Sequence, residues 1–297
     1  MTKLSFLACL LLGACVADAQ NPTAKEWPET GKTVTYDLEI TEFDWEVAPG
    51  AIYQAVGYNG EIPGPILQAN AGDRILIHLK NSTATPHSIH THISRYPVEF
   101  DGVTQGVAQP GESITVEWLA SFAGTFPYHD HAGDSGENGG LTAGLLGAVV
   151  IHDPSARRAK VENVVVLMDF DRSRYKGLPG EAIGEFAATP GEYKGPHGYM
   201  HGINGRTYEA FTPRFGAAVG DIVRWRVLSL GREFHTFHVH GHRWVGADGV
   251  LTDNIALGPG MYATFDWRED AVGSWMYHCH VAEHMEGGMM GYYDVAP

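Results

Sequence analysis

Histidine is the residue type whose abundance and spacing predict chemistry in this chain. The 297 residues include 16 His and 3 Cys, and eight of the histidines fall into four His-x-His pairs. The pairs are His90/His92, His129/His131, His238/His240 and His278/His280. In a β-strand, residues i and i+2 point to the same face, so each pair would present two imidazoles side by side. Imidazole binds Cu, Zn, Fe and Ni, and eight convergent imidazoles suit a cluster of about three ions better than a single ion.

The segment around Cys279 predicts a second kind of metal site. Strand alternation directs Cys279 to the face opposite its two histidine neighbours, so its thiolate can bind one metal while they bind the cluster. The other expected ligands of this site are His235, His284 and Met289. Two His, one Cys and an axial Met form the ligand set of a blue copper electron-transfer site.

The elements that must position these residues repeat along the chain. His87–His92 matches His235–His240 at an offset of 148 residues, and Tyr128–His131 matches Tyr277–His280 at 149. Gly-Asp pairs at positions 72 and 220 fall into the same register. Three matches in one register predict two copies of one domain.

Strand signals predict the class of that domain. Runs rich in β-branched residues are bounded by Gly, Pro, Asn or Asp, and no long segment has the 3.6-residue period of a helix. These runs are Arg74–Leu79, Ser113–Trp118, Gly147–His152, Val161–Leu167 and Ile222–Leu228. We therefore predict an all-β protein with two tandem Greek-key β-sandwich domains, at residues 30–153 and 160–297.

The first domain lacks the predicted blue-copper ligands. Of the four ligands in the second domain, only the first histidine recurs. The corresponding positions hold His87, Asp130, Ser135 and Gly140. One blue copper per chain is expected, in the second domain, and His87 is interpreted as a structural or supporting residue.

The composition limits the class of partner, and the N-terminal residues indicate where the protein acts. With 20 Lys+Arg against 35 Asp+Glu, the net charge of −15 argues against a nucleic-acid partner, because phosphate binding needs clustered cations. Residues 1–19 resemble a signal peptide, with Lys3 before an apolar run and Ala17–Ala19 as the cleavage motif. That run is too short to span a bilayer. We expect an exported protein, periplasmic or secreted, with no transmembrane segment; a lipid anchor on Cys15 is an open alternative.

The histidine motifs resemble the four copper motifs of multicopper oxidases. The two-domain length and the single blue site in the second domain are similar to the bacterial small laccases, over roughly residues 30–297. The resemblance implies cupredoxin-like domains, four coppers per chain and one-electron oxidation of phenolic or similar small substrates, coupled to four-electron reduction of O2 to water. Ile93 follows His92 where the family usually has Gly, which removes no ligand.

The resemblance also implies roles for individual residues. Type 1 copper would be bound by His235, Cys279, His284 and Met289. Type 2 copper would be bound by His90 and His238, and the two type 3 coppers by His92, His129, His131, His240, His278 and His280. In two-domain relatives the cluster lies between the first domain of one subunit and the second domain of the next, in a homotrimer. The even split of ligands is compatible with that arrangement and with an intrachain cluster.

Reduction of O2 to water also requires protons. Asp101 and Tyr96 follow His92 at the spacing where small laccases keep an acid and a tyrosine near type 2 copper, and Asp253 matches a second acid of the family. We hypothesise that Asp101 is a proton relay, since a carboxylate can shuttle protons to the reacting oxygen.

Other functions use parts of the same machinery. A metal oxidase acting on Cu(I), Fe(II) or Mn(II) would differ only in its electron donor. A copper nitrite reductase, in the family pattern, carries its blue copper in the first domain and needs only one further copper. An electron carrier would need the blue site alone and would leave the other histidine pairs unexplained.

The remaining histidines have ordinary interpretations. His78, His152 and His242 are interpreted as structural, because a lone histidine seldom binds metal. His197 and His201 are interpreted as loop residues, with a minor metal site as the alternative.

Overall fold

The computed structural model of the chain describes residues 25–93, 96–132, 136–156, 158–176, 200–208 and 211–297, without the side chains of 136–138. The predicted signal peptide, Cys15, Ser135 and His197 lie outside the described residues. The first ten strands are β1 (Thr33–Ala48), β2 (Ala51–Tyr58), β3 (Leu67–Asn70), β4 (Arg74–Asn81), β5 (His87–Ser88), β6 (His90–Thr91), β7 (Val107–Ala108), β8 (Ser113–Leu119), β9 (Gly124–His129) and β10 (Leu146–His152).

The later strands are β11 (Val161–Asp169), β12 (His201–Ile203), β13 (Phe215–Ala218), β14 (Ile222–Ser229), β15 (His235–Val239), β16 (Trp244–Val245), β17 (Leu251–Thr252), β18 (Asn254–Leu257), β19 (Tyr262–Arg268), β20 (Gly273–His278) and β21 (Met290–Ala296). The helices are α1 (Gly136–Ala143) and α2 (Ala282–Glu286), with 3-10 turns at Val98–Phe100 and Arg172–Arg174. No helix in the described ranges is long and apolar enough to cross a membrane.

The strands form two sandwiches, which confirms the predicted all-β class. In the first half, a sheet ordered β2-β1-β4-β8 faces one ordered β3-β10-β9-β6. In the second half, the orders are β12-β11-β14-β19 and β13-β21-β20-β15-β18. Each of the five strand runs expected from the sequence lies in a strand: β4, β8, β10, β11 and β14.

Strand pairing reproduces the sequence repeat. β1 runs parallel to β4 in the first half, and β11 runs parallel to β14 in the second. The ladders β6–β9 and β15–β20 are both antiparallel, and each sets two of the paired histidines directly opposite each other. The repeat therefore places the four His-x-His pairs at matching ends of matching strands.

Buried side chains hold the two halves in one structure. Alternation buries Ile75 and Ile77 of β4 and Trp225 of β14 inside their own sandwiches, each contributing roughly 1.5–3 kcal/mol by leaving water. A further apolar cluster joins Tyr53 of the first half to Leu228 of the second. The two halves therefore share a buried contact within one chain.

Candidate metal centres

The predicted blue-copper ligands converge in the interior of the second sandwich. His235 begins β15, Cys279 follows β20 and His284 lies in α2. Sγ of Cys279 lies 3.9 Å from Nδ1 of His235 and 3.7 Å from Nδ1 of His284, and the two Nδ1 atoms are 3.2 Å apart. Atoms that bind one ion at ~2.0–2.3 Å lie at about these separations from one another. The three side chains are placed to share a single metal ion.

Local contacts adapt Cys279 to bind metal. Its full burial alone raises the pKa of the thiol, but the neighbouring His235 imidazole and the hydrogen bond from the backbone amide of Thr236 outweigh burial and hold the pKa of Cys279 below its usual value. The thiolate is the form of cysteine that binds metals. Met289 is also fully buried, and its carbonyl accepts a hydrogen bond from the Cys279 amide at 3.1 Å. Two imidazoles, a thiolate and a thioether form a donor set that fits copper.

The matching place in the first domain holds a hydrogen-bonded pair. Nδ1 of His87 donates to Oδ2 of the fully buried Asp130 at 2.8 Å. The other carboxylate oxygen accepts from the amides of Ser88 and Ala132. A side chain at Gly140 would meet this carboxylate, since its Cβ would lie 2.1 Å from Oδ2. The described part of this place therefore carries no thiolate or thioether.

Four histidines of the second domain form a separate group behind Cys279. His238 lies directly opposite His278, and the Nε2 atoms of His240 and His278 are 3.1 Å apart. The ring of His280 lies 5.6 Å from that of His238 between centroids. The thiol and its two flanking imidazoles thus serve different groups, as alternation predicts.

The first domain repeats this arrangement. His90 lies directly opposite His129, and Nε2 of His92 is 3.5 Å from Nε2 of His129. The ring of His131 lies 5.2 Å from that of His90 between centroids. These four side chains form the counterpart of the group in the second domain.

Hydrogen bonds to the backbone fix the rings of four of these histidines. Nδ1 donates to a carbonyl oxygen at 2.7, 3.0, 2.6 and 2.7 Å in His90, His129, His238 and His278, respectively. This tautomer leaves the lone pair on Nε2. Burial, reinforced by neighbouring imidazoles, lowers the pKa of His129 and His278 to about 4. Both rings are therefore neutral at pH 7, the form that binds metal.

Each domain presents its own half of the imidazoles. The triads whose ligand atoms lie within 4.8 Å of one another are His90–His92–His129, His238–His240–His278 and His201–His235–His284. Across the described part of the chain, none of these triads combines the two domains. The side chains of His92, His240 and His280 are exposed. Two surface groups of imidazoles result, each able to bind further ligands.

Comparison with known proteins decides the family. Two sequence models described as multicopper oxidase match residues 39–156 and 185–297. The chain belongs to the multicopper oxidase family. This family consists of copper oxidoreductases, the class of enzyme that the histidine motifs predict.

Relatives of this multicopper oxidase differ in what their names describe. It is 30% identical to a probable nitrite reductase–hydroxylamine oxidoreductase fusion protein of Kuenenia stuttgartiensis, over 98% of this chain and 34% of that protein. It is 29% identical to human ferroxidase HEPHL1, over 90% of this chain and 27% of that protein. The chain thus spans between about a quarter and a third of the length of these two curated relatives.

A solved multicopper oxidase has the same architecture. It superposes with a TM-score of 0.75 at 27% identity, over 92% of both chains. The cupredoxin-like character expected of the two sandwiches is thereby confirmed.

The predicted proton-handling residues lie beside the first-domain group. The carbonyl of Asp101 accepts the Nδ1–H of His90 at 2.7 Å, and the hydroxyl of Tyr96 donates to Oδ1 of Asp101 at 3.2 Å. Burial, and then the Asp101 charge, raises the pKa of Tyr96 to about 12. In the second domain, the carbonyl of Asp253 accepts from His238 in the same way. The structure places all three residues against candidate copper ligands.

The loop interpretation of His201 is wrong. His201 begins β12, is fully buried and stacks on the ring of His284, with 3.8 Å between centroids. Its Nδ1 donates to Oδ1 of Asp169 at 2.7 Å. A usable signal was present, because Asn204-Gly205 repeats Asn59-Gly60, and the residues before the first of these pairs form β2.

Two acids beside the candidate blue site were also missed. Asp169 accepts the Nε2–H of His235 at 3.0 Å. An oxygen of the half-exposed Glu233 lies 3.3 Å from Nε2 of His284. Neither acid belongs to a motif with a recognisable spacing. The only sequence signal for Glu233 is its position two residues before His235.

The other histidines make structural contacts. His78 is exposed and lies 3.3 Å from the Thr115 hydroxyl. His152 is buried and bonded to Gln68 at 2.9 Å. His242 is buried against the carboxylate of Glu269 at 3.0 Å. These contacts agree with the structural interpretation of all three.

Proposed function

We propose that this multicopper oxidase couples one-electron oxidation of small reducing substrates, phenolic or similar, to four-electron reduction of O2 to water, as a laccase does. The observation that carries the proposal is the position of Cys279 between two groups of ligands. Copper held by both groups would supply one-electron redox chemistry, with the buried ligands facing the donor and the histidine groups facing O2. The residues Cys279, His278 and His280 connect the two groups through a short stretch of backbone.

The proposal assigns four coppers per chain. The ligands of type 1 copper are His235, Cys279, His284 and Met289. Those of type 2 copper are His90 and His238, and those of the two type 3 coppers are His92, His129, His131, His240, His278 and His280. Support comes from the Nε2 atoms of His92 and His240, each within 3.5 Å of the Nε2 atom of a second histidine.

We further propose that the cluster forms between subunits of a homotrimer. Each domain presents four imidazoles, and the candidate triads of the described residues stay within one domain. A cluster that needs both halves can then form where the first domain of one chain meets the second domain of another. Cyclic symmetry lets three such contacts close a ring.

Electrons from the donor enter at His284 in this proposal. Glu233, whose side chain is 48% exposed, contacts His284, and the adjacent residue Phe234 is 51% exposed. Oxidation of a phenol releases a proton, which the Glu233 carboxylate is placed to accept. Phe234 offers an apolar surface on which an aromatic ring can pack.

A metal ion is the second candidate donor. The Glu233 carboxylate, beside the candidate electron-entry residue His284, offers oxygen atoms that can bind a metal ion. The net charge of −15 favours cationic substrates, and one of the relatives is named a ferroxidase.

A nitrite reductase fits less well, because its family pattern needs a blue site in the first domain, where Asp130 stands. Export to the periplasm or medium, with or without a lipid anchor on Cys15, remains part of the proposal.

The variant Glu233→Gln separates the two donors. If the carboxylate accepts the phenol proton, kcat for phenol oxidation falls by roughly 100-fold, at the lower end of general-base effects. If the carboxylate instead binds a metal-ion donor, KM for Fe(II) or Cu(I) rises and phenol oxidation is unchanged. Steady-state kinetics with both donors measure this, and Glu283→Gln, an exposed acid next to His284, is the control. Unchanged kinetics with every donor would remove Glu233 from the proposal.

The variant Asp101→Asn tests the proton relay. The shorter contact to His90, at 2.7 Å, uses the Asp101 carbonyl, which Asn keeps. Asn replaces the carboxylate, whose Oδ1 lies 3.5 Å from the same nitrogen, by a neutral amide. We expect O2 turnover to fall by about 100-fold with copper content unchanged. Glu99→Gln, an exposed acid of the same turn, is the control. Full activity in Asp101→Asn would exclude the relay.

Copper per chain, read with the visible spectrum and O2 uptake, tests the function as a whole. About four coppers, a strong blue band and donor-dependent O2 uptake are expected. About two coppers with a blue band would favour a reductase, and nitrite would then be the substrate to try. A single copper would leave only an electron carrier.

A further inference from the structure

A buried carboxylate stands directly behind a ligand of the candidate blue site. Asp169 ends β11 and is 5% exposed. Its Oδ1 accepts from Nε2 of His235 at 3.0 Å and from Nδ1 of His201 at 2.7 Å. Its Oδ2 accepts from the backbone amides of Arg232 and Glu233 at 2.6 and 2.9 Å. Both oxygens are therefore engaged, and the segment leading into His235 is anchored to them.

This carboxylate fixes the orientation of His235. In the neutral ring that binds metal, the proton that Asp169 accepts is on Nε2, so the lone pair lies on Nδ1, the atom that faces Cys279. A carboxylate on the far nitrogen also makes an imidazole a more basic ligand. Asp169 thus acts on the metal-facing atom of His235 without contact to the metal.

His201 connects Asp169 with His284, the second imidazole ligand of the candidate blue site. Its ring lies nearly parallel to that of His284, at 24° and 3.8 Å between centroids. The His201 side chain is fully buried, so its ring packs against His284 without contact to solvent. Asp169 and His201 are direct cross-strand partners on β11 and β12. Through this pair, one unit contacts both histidine ligands.

The first domain shows what this place contains when no blue site is present. The pairing of β1 with β2 there sets Glu42 opposite Val56, in the same register position as Asp169 and His201. Glu42 is exposed, and Val56 has no ring nitrogen. His87 finds its carboxylate elsewhere, on Asp130. Of the two copies, only the one with the blue-copper ligand set carries a carboxylate–imidazole pair at this register position.

We propose that Asp169 and His201 form one positioning unit that sets the reduction potential of the blue copper. The inference rests on the proposed function, since it presumes a blue copper bound by His235 and His284. The negative charge on Asp169 stabilises the more positive Cu(II) state relative to Cu(I), and His201 holds that carboxylate against His235 by donating to it. Loss of either member shifts the balance towards Cu(I).

Redox titration of the blue band in the full copper-loaded protein tests this. In Asp169→Asn, we expect at least a tenfold shift of the Cu(I)/Cu(II) equilibrium towards Cu(I), a rise of ~59 mV for one electron. His201→Phe keeps a ring on His284 but cannot donate to Asp169, and we expect a smaller rise. His201→Gln, which can still donate, restores part of the wild-type potential. The control His87→Phe removes a buried His–Asp contact of the first domain and leaves the potential unchanged.

The outcomes separate this inference from the proposed function. A wild-type protein without a blue band would overturn both. A wild-type blue band with unaltered potentials and spectra in Asp169→Asn and His201→Phe would overturn only the positioning role. Should Asp169→Asn not accumulate as folded protein, the potential of His201→Phe decides alone, and a wild-type value there would overturn the inference.

Discussion

Substitution of Cys279 by serine is expected to abolish donor oxidation while leaving the histidine groups intact. The hydroxyl of serine is a hard, protonated group that does not replace a thiolate at a copper site. The blue band disappears, about one copper per chain is lost and turnover falls by ~1,000-fold or more, a loss of about 4 kcal/mol in transition-state stabilisation. Copper analysis, the visible spectrum and O2 uptake with a phenol measure these effects.

A folding defect would produce the same loss and needs its own control. Cys279 is fully buried in the second core, so serine places a hydroxyl in an apolar setting, at a cost of roughly 1–3 kcal/mol. Thermal unfolding of the metal-free proteins separates this effect from lost chemistry. Met285→Leu, a change at a nearby half-buried methionine outside the ligand set, should leave the blue band in place. A Cys279→Ser protein that stays blue and active would disprove the assignment.

The arrangement around Cys279 was predictable because it depends on local geometry. Alternation along the chain at the end of β20 places His278 and His280 on the side away from the thiol, and no long-range information is needed. The repeat then predicts the same arrangement for the first-domain histidines. Those parts of the fold and of the candidate site that follow from strand period and internal similarity could therefore be predicted from the sequence.

The residues that support the ligands could not be predicted in this way. Asp169 contacts His235 across 66 positions of sequence, and His201 reaches its carboxylate across 32. Such contacts depend on which strands pair and in what register, which composition and spacing do not encode. Glu233 is local to His235, yet its contact with His284 also requires α2 to lie beside the start of β15. Sequence alone likewise left open whether the two halves of the cluster meet within one chain.

Two inactive variants are expected to restore activity when they assemble together. The first loses both histidines of one first-domain pair, in His90→Ala/His92→Ala. The second loses a second-domain pair, in His238→Ala/His240→Ala. Each alone has no complete cluster and should show only background O2 uptake. In a mixed trimer, the intact first domain of one variant meets the intact second domain of the other, and a complete cluster forms at that contact.

The size of the recovery distinguishes intersubunit from intrachain clusters. With the two variants co-expressed in equal amounts and assembled at random, about one contact in four joins two intact halves, so about one quarter of wild-type turnover and of cluster copper should return. Clusters within single chains would give no recovery, because every chain carries a damaged half. Purified variants mixed without subunit exchange serve as the control and should stay inactive. The exposed imidazoles His92, His240 and His280 lie on both halves of the chain. Recovery of activity would mean that these potential copper ligands are exposed in one chain because a second chain covers them in the trimer.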